Sequence, residues 1–153
     1  MNTKIILLSL CTIYILGACQ TVTPLPYVTG TVSSEFTLAP DQSVAVTGTD
    51  LTLTFHSVVG DERCPRDVEC AASGPVTVSF SVQQGDGTPT DFTLQTFTDQ
   101  NGRSPNVQFE GVTNRTEVGD YLIQISSVTP YPQDLSTKIN PAEYRVVLFV
   151  AKK

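Results

Sequence analysis

The sequence predicts an all-β fold, an antiparallel β-sandwich of about seven to eight strands. Apolar and polar residues alternate with a period of two along much of the chain, which is the pattern of half-buried strands. The 3.6-residue apolar period of an amphipathic helix is nearly absent. Turn signals such as Asp86-Gly87 and Asn101-Gly102 separate the alternating segments. Short strands joined by such turns indicate a sandwich, and a small closed β-barrel is the alternative.

The clearest strand is 76–82, which places apolar side chains on one face and hydroxyls on the other. The last segment is apolar on both faces near Val147 and Phe149, so we expect it to lie centrally in its sheet or beneath a loop. The predicted strands, in chain order, are Phe36–Leu38, Val44–Val46, Leu51–Val59, Val76–Val82, Phe92–Phe97, Val107–Phe109, Tyr121–Ile125 and Tyr144–Val150.

Two connecting segments, Gly60–Pro75 and Thr129–Ala142, are too long to be simple turns. Long ordered loops on a rigid sandwich commonly carry function. We therefore expect the functional surface in these two loops.

A short motif at the start of the predicted strand Tyr121–Ile125 indicates which kind of sandwich to expect. The run Glu117-Val-Gly119-Asp-Tyr121 resembles the Asp-x-Gly-x-Tyr corner that precedes the penultimate strand of immunoglobulin-like domains, with Glu in place of Asp. The resemblance implies an immunoglobulin-like β-sandwich in which the Tyr121 hydroxyl bonds to nearby backbone.

The N-terminal segment has the layout of a secretory signal. Lys4 precedes the apolar run Ile5–Leu16, which is shorter than the about 20 residues that a membrane span needs. The run ends in Leu16-Gly17-Ala18-Cys19, which resembles the lipobox of bacterial lipoprotein precursors. The resemblance implies that residues 1–18 are a cleaved signal peptide and that Cys19 carries a thioether-linked diacylglycerol. The alternative is an ordinary signal peptide in which Cys19 is incidental.

The same resemblance implies a location in the cell envelope, with the membrane as a partner through the lipid on Cys19 and no other cofactor. The residue after Cys19 is Gln20 rather than Asp, which favours the outer membrane in a host with two membranes. In a host with one membrane, the chain would lie on the outer face of the plasma membrane. Residues 19–34 are rich in Thr, Pro, Ser and Gly, which is typical of a flexible tether. Residues 35–153 are then one domain.

Composition argues against a nucleic-acid partner. Fifteen acidic residues against nine basic residues give a formal net charge of −6. A protein that binds nucleic acid needs a basic patch to face the phosphates, and the charges here are scattered. The partner that we predict, besides the membrane, is a protein of the envelope.

The cysteines divide into two groups. Cys11 leaves with the signal peptide and Cys19 is the predicted lipidation site, so Cys64 and Cys70 remain. An even pair in an oxidising compartment predicts a disulfide. The closed loop is short, and the loop-closure relation gives roughly 2–2.5 kcal/mol of stabilisation.

The segment Gly60–Gly74 is the most distinctive in the chain. Its Asp-x-Arg-Cys-Pro, Val-x-Cys and Gly elements resemble those of an uncharacterised family of small secreted bacterial proteins and lipoproteins, which implies a fold and a location but no activity. Those proteins often carry Trp two residues after the second cysteine, where this chain has Ala72. The matching residues are Asp61, Arg63, Cys64, Pro65, Val68, Cys70 and Gly74.

Arg63 has two possible roles in this loop. It can pair with Asp61 or Asp67 and hold the loop in shape, or it can present its guanidinium fork to a ligand. The rigid run Thr129–Pro132 presents Tyr131, an aromatic that suits either a binding tip or a chain corner. The candidate binding residues are Asp61, Arg63, Arg66 and Tyr131.

These observations predict a non-catalytic binding or interaction module of unknown ligand, and the alternative is an inhibitor of an extracytoplasmic protease or lysozyme. A hydrolase is not favoured, because the single histidine, His56, has no nucleophile motif to serve. A metal-handling protein is a further alternative, and it would need His56 with reduced Cys64 and Cys70. Since oxidation removes those thiolates, we predict neither a metal site nor catalytic residues.

Overall fold

The computed structural model describes residues 28–153, which form a two-layer β-sandwich. The predicted fold class is confirmed, and the two sheets do not close into a barrel. The described part also has a short 3-10 helix at Pro141–Glu143. Its strands are β1 (Val28–Thr31), β2 (Glu35–Leu38), β3 (Gln42–Thr47), β4 (Leu51–Asp61), β5 (Val76–Gln84), β6 (Thr90–Thr96), β7 (Arg115–Val118), β8 (Tyr121–Thr129) and β9 (Arg145–Lys152).

One sheet has the strand order β1-β3-β4-β5-β6 and the other has the order β2-β9-β8-β7. Neighbouring strands are antiparallel, except that β1 pairs in parallel with β3. Strands β3 to β6 follow one another within one sheet, whereas immunoglobulin domains divide their consecutive strands B and C between the two sheets. The likeness to that fold is therefore in its two layers and not in its strand order.

The core lies between the sheets, on the faces that the alternation predicted. Strand β3 contributes the buried residues Val44 and Val46, and β9 contributes Val146, Leu148 and Val150. Each such burial stabilises the fold by roughly 1.5–3 kcal/mol. The central position of β9, between β2 and β8, agrees with its apolar residues on both faces.

The first strand differs from the prediction. Residues 28–31, which the composition assigned to the tether, form β1 and pair with β3. Gly30 permits this, because a Cβ there would lie 2.7 Å from the Phe36 ring that packs over it. The sandwich therefore begins before residue 35. The predicted signal peptide, Cys19 and the predicted tether up to residue 27 lie outside the described residues.

The connection from β6 to β7 also differs from the prediction. Val107–Phe109 forms no strand, and the side chains of Val107 and Phe109 remain exposed. The Phe109 ring instead packs edge-on against Phe97, with 4.9 Å between the ring centroids. Strand β7 forms later, from a segment with only partly buried residues. Local alternation was a misleading signal here because the segment has no partner strand.

The Tyr121 motif forms a tight β-hairpin between β7 and β8. Gly119 adopts a positive φ of +55° in the turn, and Tyr121 pairs with Val118. The Tyr121 hydroxyl lies 3.5 Å from the carbonyl oxygen of Gly48, 73 positions earlier in the chain. It does not bond to nearby backbone, which was the arrangement that the motif implied. Its contact is with the turn between β3 and β4.

Strands β4 and β8 belong to different sheets and carry the two long loops. The 11-residue β4 has register shifts against β5 between Phe55 and Ser57 and between Val58 and Gly60, and it ends at Asp61. Such bulges increase the local twist and re-aim the end of a strand. Strand β8 ends at Thr129, just before the cis peptide bond to Pro130. No helix among the described residues has the length and apolar character needed to cross a membrane.

Gly102 supports β8 from the neighbouring loop and supplies a stability test. It has a φ of +79°, and a Cβ there would lie 2.4 Å from the Val128 carbonyl oxygen. Gly111 has a φ of +77° with no atom within 4 Å of a Cβ. Both Gly→Ala variants carry the left-handed cost of about 1–2 kcal/mol, and Gly102→Ala adds a steric cost of about 1–3 kcal/mol.

We therefore expect Gly102→Ala to lower the free energy of unfolding by more than Gly111→Ala does, as measured by urea denaturation of the purified chain. Equal losses in the two variants would show that the loop at Gly102 does not press on Val128.

Candidate functional site

The two long loops meet at one end of the sandwich. The backbone N–H of Arg66 donates to the Pro132 carbonyl at 3.1 Å, and that of Asp67 donates to the Gln133 carbonyl at 2.9 Å. The Gln133 side-chain amide also donates to the Asp67 carboxylate at 2.8 Å. These three hydrogen bonds link the two loops, which therefore form one surface.

The predicted disulfide between Cys64 and Cys70 is confirmed, with a Cα–Cα distance of 6.0 Å. The segment that it closes is further held at its base. The Ser73 hydroxyl accepts a bond from the Cys64 N–H at 3.0 Å, and the Tyr131 hydroxyl donates to the Cys64 carbonyl at 2.8 Å. The disulfide therefore shapes a loop that the second long loop also supports.

Arg63 holds this end of the molecule together from inside. Its side chain has no exposed surface and forms a bidentate pair with Asp61, with Nε–Oδ1 and Nη2–Oδ2 distances of 2.7 and 2.5 Å. Its Nη1 and Nη2 also donate to the carbonyls of Val128 and Pro130, each at 2.9 Å. The guanidinium thus joins the end of β4 to the end of β8, and its donors face the protein rather than a ligand.

Tyr144 completes the polar group around Asp61. Its hydroxyl donates to Asp61 Oδ2 at 3.0 Å. Burial, the negative charge of Asp61 and the hydrogen bond to Asp61 together raise the pKa of Tyr144 to about 12, against the opposing effect of Arg63. Because the folded pKa lies above the unfolded value near 10, the stabilisation is complete below pH 10 and is lost as the pH rises through 12.

Tyr131 lies between the two arginines of the first loop. The guanidinium carbons of Arg63 and Arg66 are 4.9 and 5.7 Å from the centre of its ring. Such cation–π contacts each contribute about 0.5–2 kcal/mol, more when the cation is desolvated. Arg66 is exposed and also donates to the Gln100 carbonyl. The four predicted residues thus come together, but Asp61 and Arg63 form an interior brace, and Arg66 is the exposed donor.

A cleft opens above this brace, between the two long loops, with a volume of about 520 Å³. We call it the two-loop cleft. Its apolar wall consists of Pro65, Ala72, Pro132, Leu135 and Ile139. Its full lining is Asp61, Glu62, Arg63, Cys64, Pro65, Cys70, Ala72, Pro132, Asp134, Leu135, Thr137, Lys138, Ile139 and Tyr144.

The sequence did not single out Leu135, Lys138 or Ile139. Leu135 is 79% exposed and places an apolar side chain at the rim. The sequence signal that could have identified Leu135 is a single leucine among the polar residues of the second long loop. Lys138 makes no ion pair within residues 28–153, so its charge is free to face a ligand.

Asp134 adds a fixed negative charge to the rim. Hydrogen bonds from the side chains and backbone N–H groups of Ser136 and Thr137 lower its pKa to about 2. The carboxylate is therefore ionised at neutral pH. With Asp61 neutralised by Arg63, the cleft presents the acids Glu62 and Asp134 against the single base Lys138.

His56 lies elsewhere, on the outer face of the five-stranded sheet. Its Nε2 is 3.0 Å from the Ser81 hydroxyl oxygen and 3.9 Å from the Asp91 carboxylate. A nucleophilic triad needs the carboxylate on the other ring nitrogen, where it orients the imidazole. Because both groups face Nε2, this grouping does not have triad geometry. The sequence did not reveal this grouping because His56, Ser81 and Asp91 come from three different strands, β4, β5 and β6.

The structure brings together no metal-binding group of three or more His, Cys, Asp or Glu residues in the part of the chain that it describes. The thiolates that a metal-handling site would use are joined as the Cys64–Cys70 disulfide. A scan of protein-family models found no match, and searches of curated proteins and of solved structures found no significant match. The resemblances drawn from the lipobox and from Gly60–Gly74 stay predictions.

The buried pair makes a prediction about stability. Arg63→Lys keeps the charge but loses the planar fork that reaches Asp61, Val128 and Pro130 together. Disrupting a buried pair typically costs about 3–5 kcal/mol, whereas an exposed contact costs about 0–1 kcal/mol. We expect Arg63→Lys to lower the free energy of unfolding by at least about 2 kcal/mol.

The exposed Arg66→Lys serves as the matched control and should lower it by less than about 1 kcal/mol. Guanidinium chloride denaturation of both variants measures the difference. A comparable small loss in both would show that Arg63 is not the brace.

Proposed function

We propose that this protein is a non-catalytic binding module and that the two-loop cleft engages a segment of a protein partner. The observation that carries the proposal is an apolar wall left open above the Asp61–Arg63 brace, in which the Arg63 side chain has no exposed surface and the Asp61 side chain is 12% exposed. A surface that is already ordered loses less conformational entropy on binding than a mobile loop does. The brace thus favours recognition by a preformed site.

The lining indicates what kind of segment fits. Leu135, Ile139 and the prolines offer a surface for an apolar side chain. The rim carries more negative than positive charge, since Glu62 and Asp134 face one free base, Lys138. Rim charges of this kind set specificity and association rate more than affinity. The expected ligand is an apolar side chain with a basic group close by.

We also propose that the module works in the cell envelope, anchored through a lipid on Cys19 after removal of residues 1–18. The lipobox resemblance at Leu16–Cys19 supports the anchor, and a disulfide between Cys64 and Cys70 fits an oxidising compartment. Two or more acyl chains suffice for stable membrane attachment. The location is the outer membrane in a host with two membranes and otherwise the outer face of the plasma membrane.

Inhibition of an extracytoplasmic protease or lysozyme is the second candidate function. The observation that favours it is the exposure of Arg66, Asp67 and 69–73, in a loop closed by the disulfide and held at its base. A rigid projecting loop fits a cleft without an ordering cost. Inhibition of a protease or lysozyme by the purified chain, lost on Cys70→Ser, would select this function over general binding.

A pair of neighbouring alanines tests the cleft. Ala72 lines the two-loop cleft, whereas Ala71 is exposed beside it and is not part of the lining.

A photo-crosslinking amino acid at Leu135 should give discrete protein adducts in intact cells. We expect Ala72→Arg to reduce the adducts at least about fivefold, because its side chain would occupy the cleft, and Ala71→Arg to leave them unchanged. The same probe at exposed Val59, outside the cleft, is the background control. Equal adducts from Ala72→Arg and Ala71→Arg would contradict binding in the cleft.

Intact mass of the mature protein, purified from its native membrane, tests the anchor. We expect a chain that starts at Cys19 with added lipid mass, and no alkylation of Cys64 or Cys70 without reductant. Cys19→Ser should release the protein from the membrane fraction. A processed chain without lipid mass would contradict the anchor, and two alkylated thiols would contradict a closed disulfide in the native protein.

A further inference from the structure

A second concave surface lies on the outer face of the four-stranded sheet. Strand register places Glu35 of β2 beside Phe149 of β9, and Phe149 beside Gln124 of β8. All three positions alternate with buried neighbours, so their side chains lie on the face away from the core. They form a row across three strands that has an aromatic ring at its centre.

The loop between β6 and β7 forms the wall of this surface. Asp99 Oδ1 accepts bonds from the N–H groups of Asn101 and Arg103, at 2.8 and 2.9 Å. Arg103 then forms a β-bridge with Ser127, and the Ser104 N–H donates to the Ser126 carbonyl at 2.8 Å. The wall is therefore fixed to β8 by its own backbone.

Together the row and the wall enclose a groove of about 670 Å³, which we call the outer-face groove. This volume lies within the about 300–1,000 Å³ usual for ligand sites. None of its lining residues lines the two-loop cleft.

Four of the polar side chains that line the outer-face groove have no partner in the described part of the chain, whereas the Ser104 hydroxyl is bonded to Thr96. Within residues 28–153, the side chains of Glu35, Arg103, Asn106 and Gln124 make no hydrogen bond or ion pair. Amides supply both donors and acceptors, a guanidinium supplies donors and a carboxylate supplies acceptors. Groups of both kinds thus converge around one ring without a partner in the described protein.

We propose that the outer-face groove binds a neutral oligosaccharide. Each sugar hydroxyl is both a donor and an acceptor, which matches a lining of amides and serine hydroxyls. The apolar face of a pyranose ring can lie against Phe149 while its hydroxyls bond to the neighbouring polar groups. The lining carries one acid, Glu35, and one base, Arg103, so a strongly charged ligand would find no matching field.

The lining also favours binding over cleavage. Glycoside hydrolysis generally uses two carboxyl groups that flank the scissile bond. Among the described residues that line the groove, Glu35 is the only carboxylate. Asp99 lies in the wall loop, but its Oδ1 is occupied by two backbone N–H groups. The groove is therefore suited to hold a glycan without hydrolysing it.

Isothermal titration calorimetry of the full mature chain in detergent tests the proposal. The probes are the β-1,4-linked trisaccharides of N-acetylglucosamine and of glucose, which separate amide-bearing from plain glycans, and a sulfated oligosaccharide as the charged comparison. We expect saturable binding of at least one neutral trisaccharide. Gln124→Ala, a change at a partly buried position on the outer face of β8, should weaken it at least about fivefold and Phe149→Ala about tenfold or more. Val59→Ala, an exposed change outside both surfaces, should leave the affinity unchanged.

Three outcomes would overturn the proposal. One is that neither neutral trisaccharide shows saturable binding at concentrations up to about 10 mM. That concentration is about ten times a Kd of 1 mM, which corresponds to a binding free energy of about −4 kcal/mol. The second is preferential binding of the sulfated probe. The third is wild-type affinity in Gln124→Ala. Circular dichroism of each variant separates lost binding from lost folding, and the result does not depend on whether the two-loop cleft binds a protein.

Discussion

The buried pair of Asp61 and Arg63 is the interaction on which this end of the molecule depends. Removing an arginine and a carboxylate from water is costly, and the mutual attraction offsets that cost only when the remaining donors are also satisfied. Here the carbonyls of Val128 and Pro130 and the hydroxyl of Tyr144 supply those partners. The result joins the ends of β4 and β8, which belong to different sheets. One guanidinium thus specifies how two long loops are placed relative to each other.

The same support reaches both candidate sites. The Val128 carbonyl accepts from Arg63 beneath the two-loop cleft, and the Val128 N–H donates to Gly102 in the wall of the outer-face groove. Arg66 makes a second link, since it lies over Tyr131 and donates to Gln100, next to Asn101 of the groove. The two surfaces therefore share a common support.

The chemistry of the two surfaces differs in a way that their positions explain. The two-loop cleft lies at the end of the sandwich, where Pro, Leu and Ile side chains of the loops remain partly open. The outer-face groove lies on a sheet face, where strand alternation places polar side chains outward around Phe149 and Val147. An apolar cleft suits a peptide side chain, and a polar groove with one aromatic suits a sugar ring. One sandwich can in this way present two surfaces of different chemistry.

The sequence by itself determined the layers, most strands and the disulfide, because these follow from local alternation, turn residues and cysteine count. It also identified Asp61, Arg63, Arg66 and Tyr131 as a group, since three of them are close in the chain. Only the tertiary structure decided that Arg63 faces inward, because its partners Val128 and Pro130 are more than 60 positions away. Strand formation also depends on a partner strand, which the local sequence pattern does not reveal. Residues 28–31 form β1 because they pair with β3, whereas Val107–Phe109 forms no strand because it has no partner. The outer-face groove was invisible for the same reason: its row of Glu35, Phe149 and Gln124 exists only once three distant strands are in register.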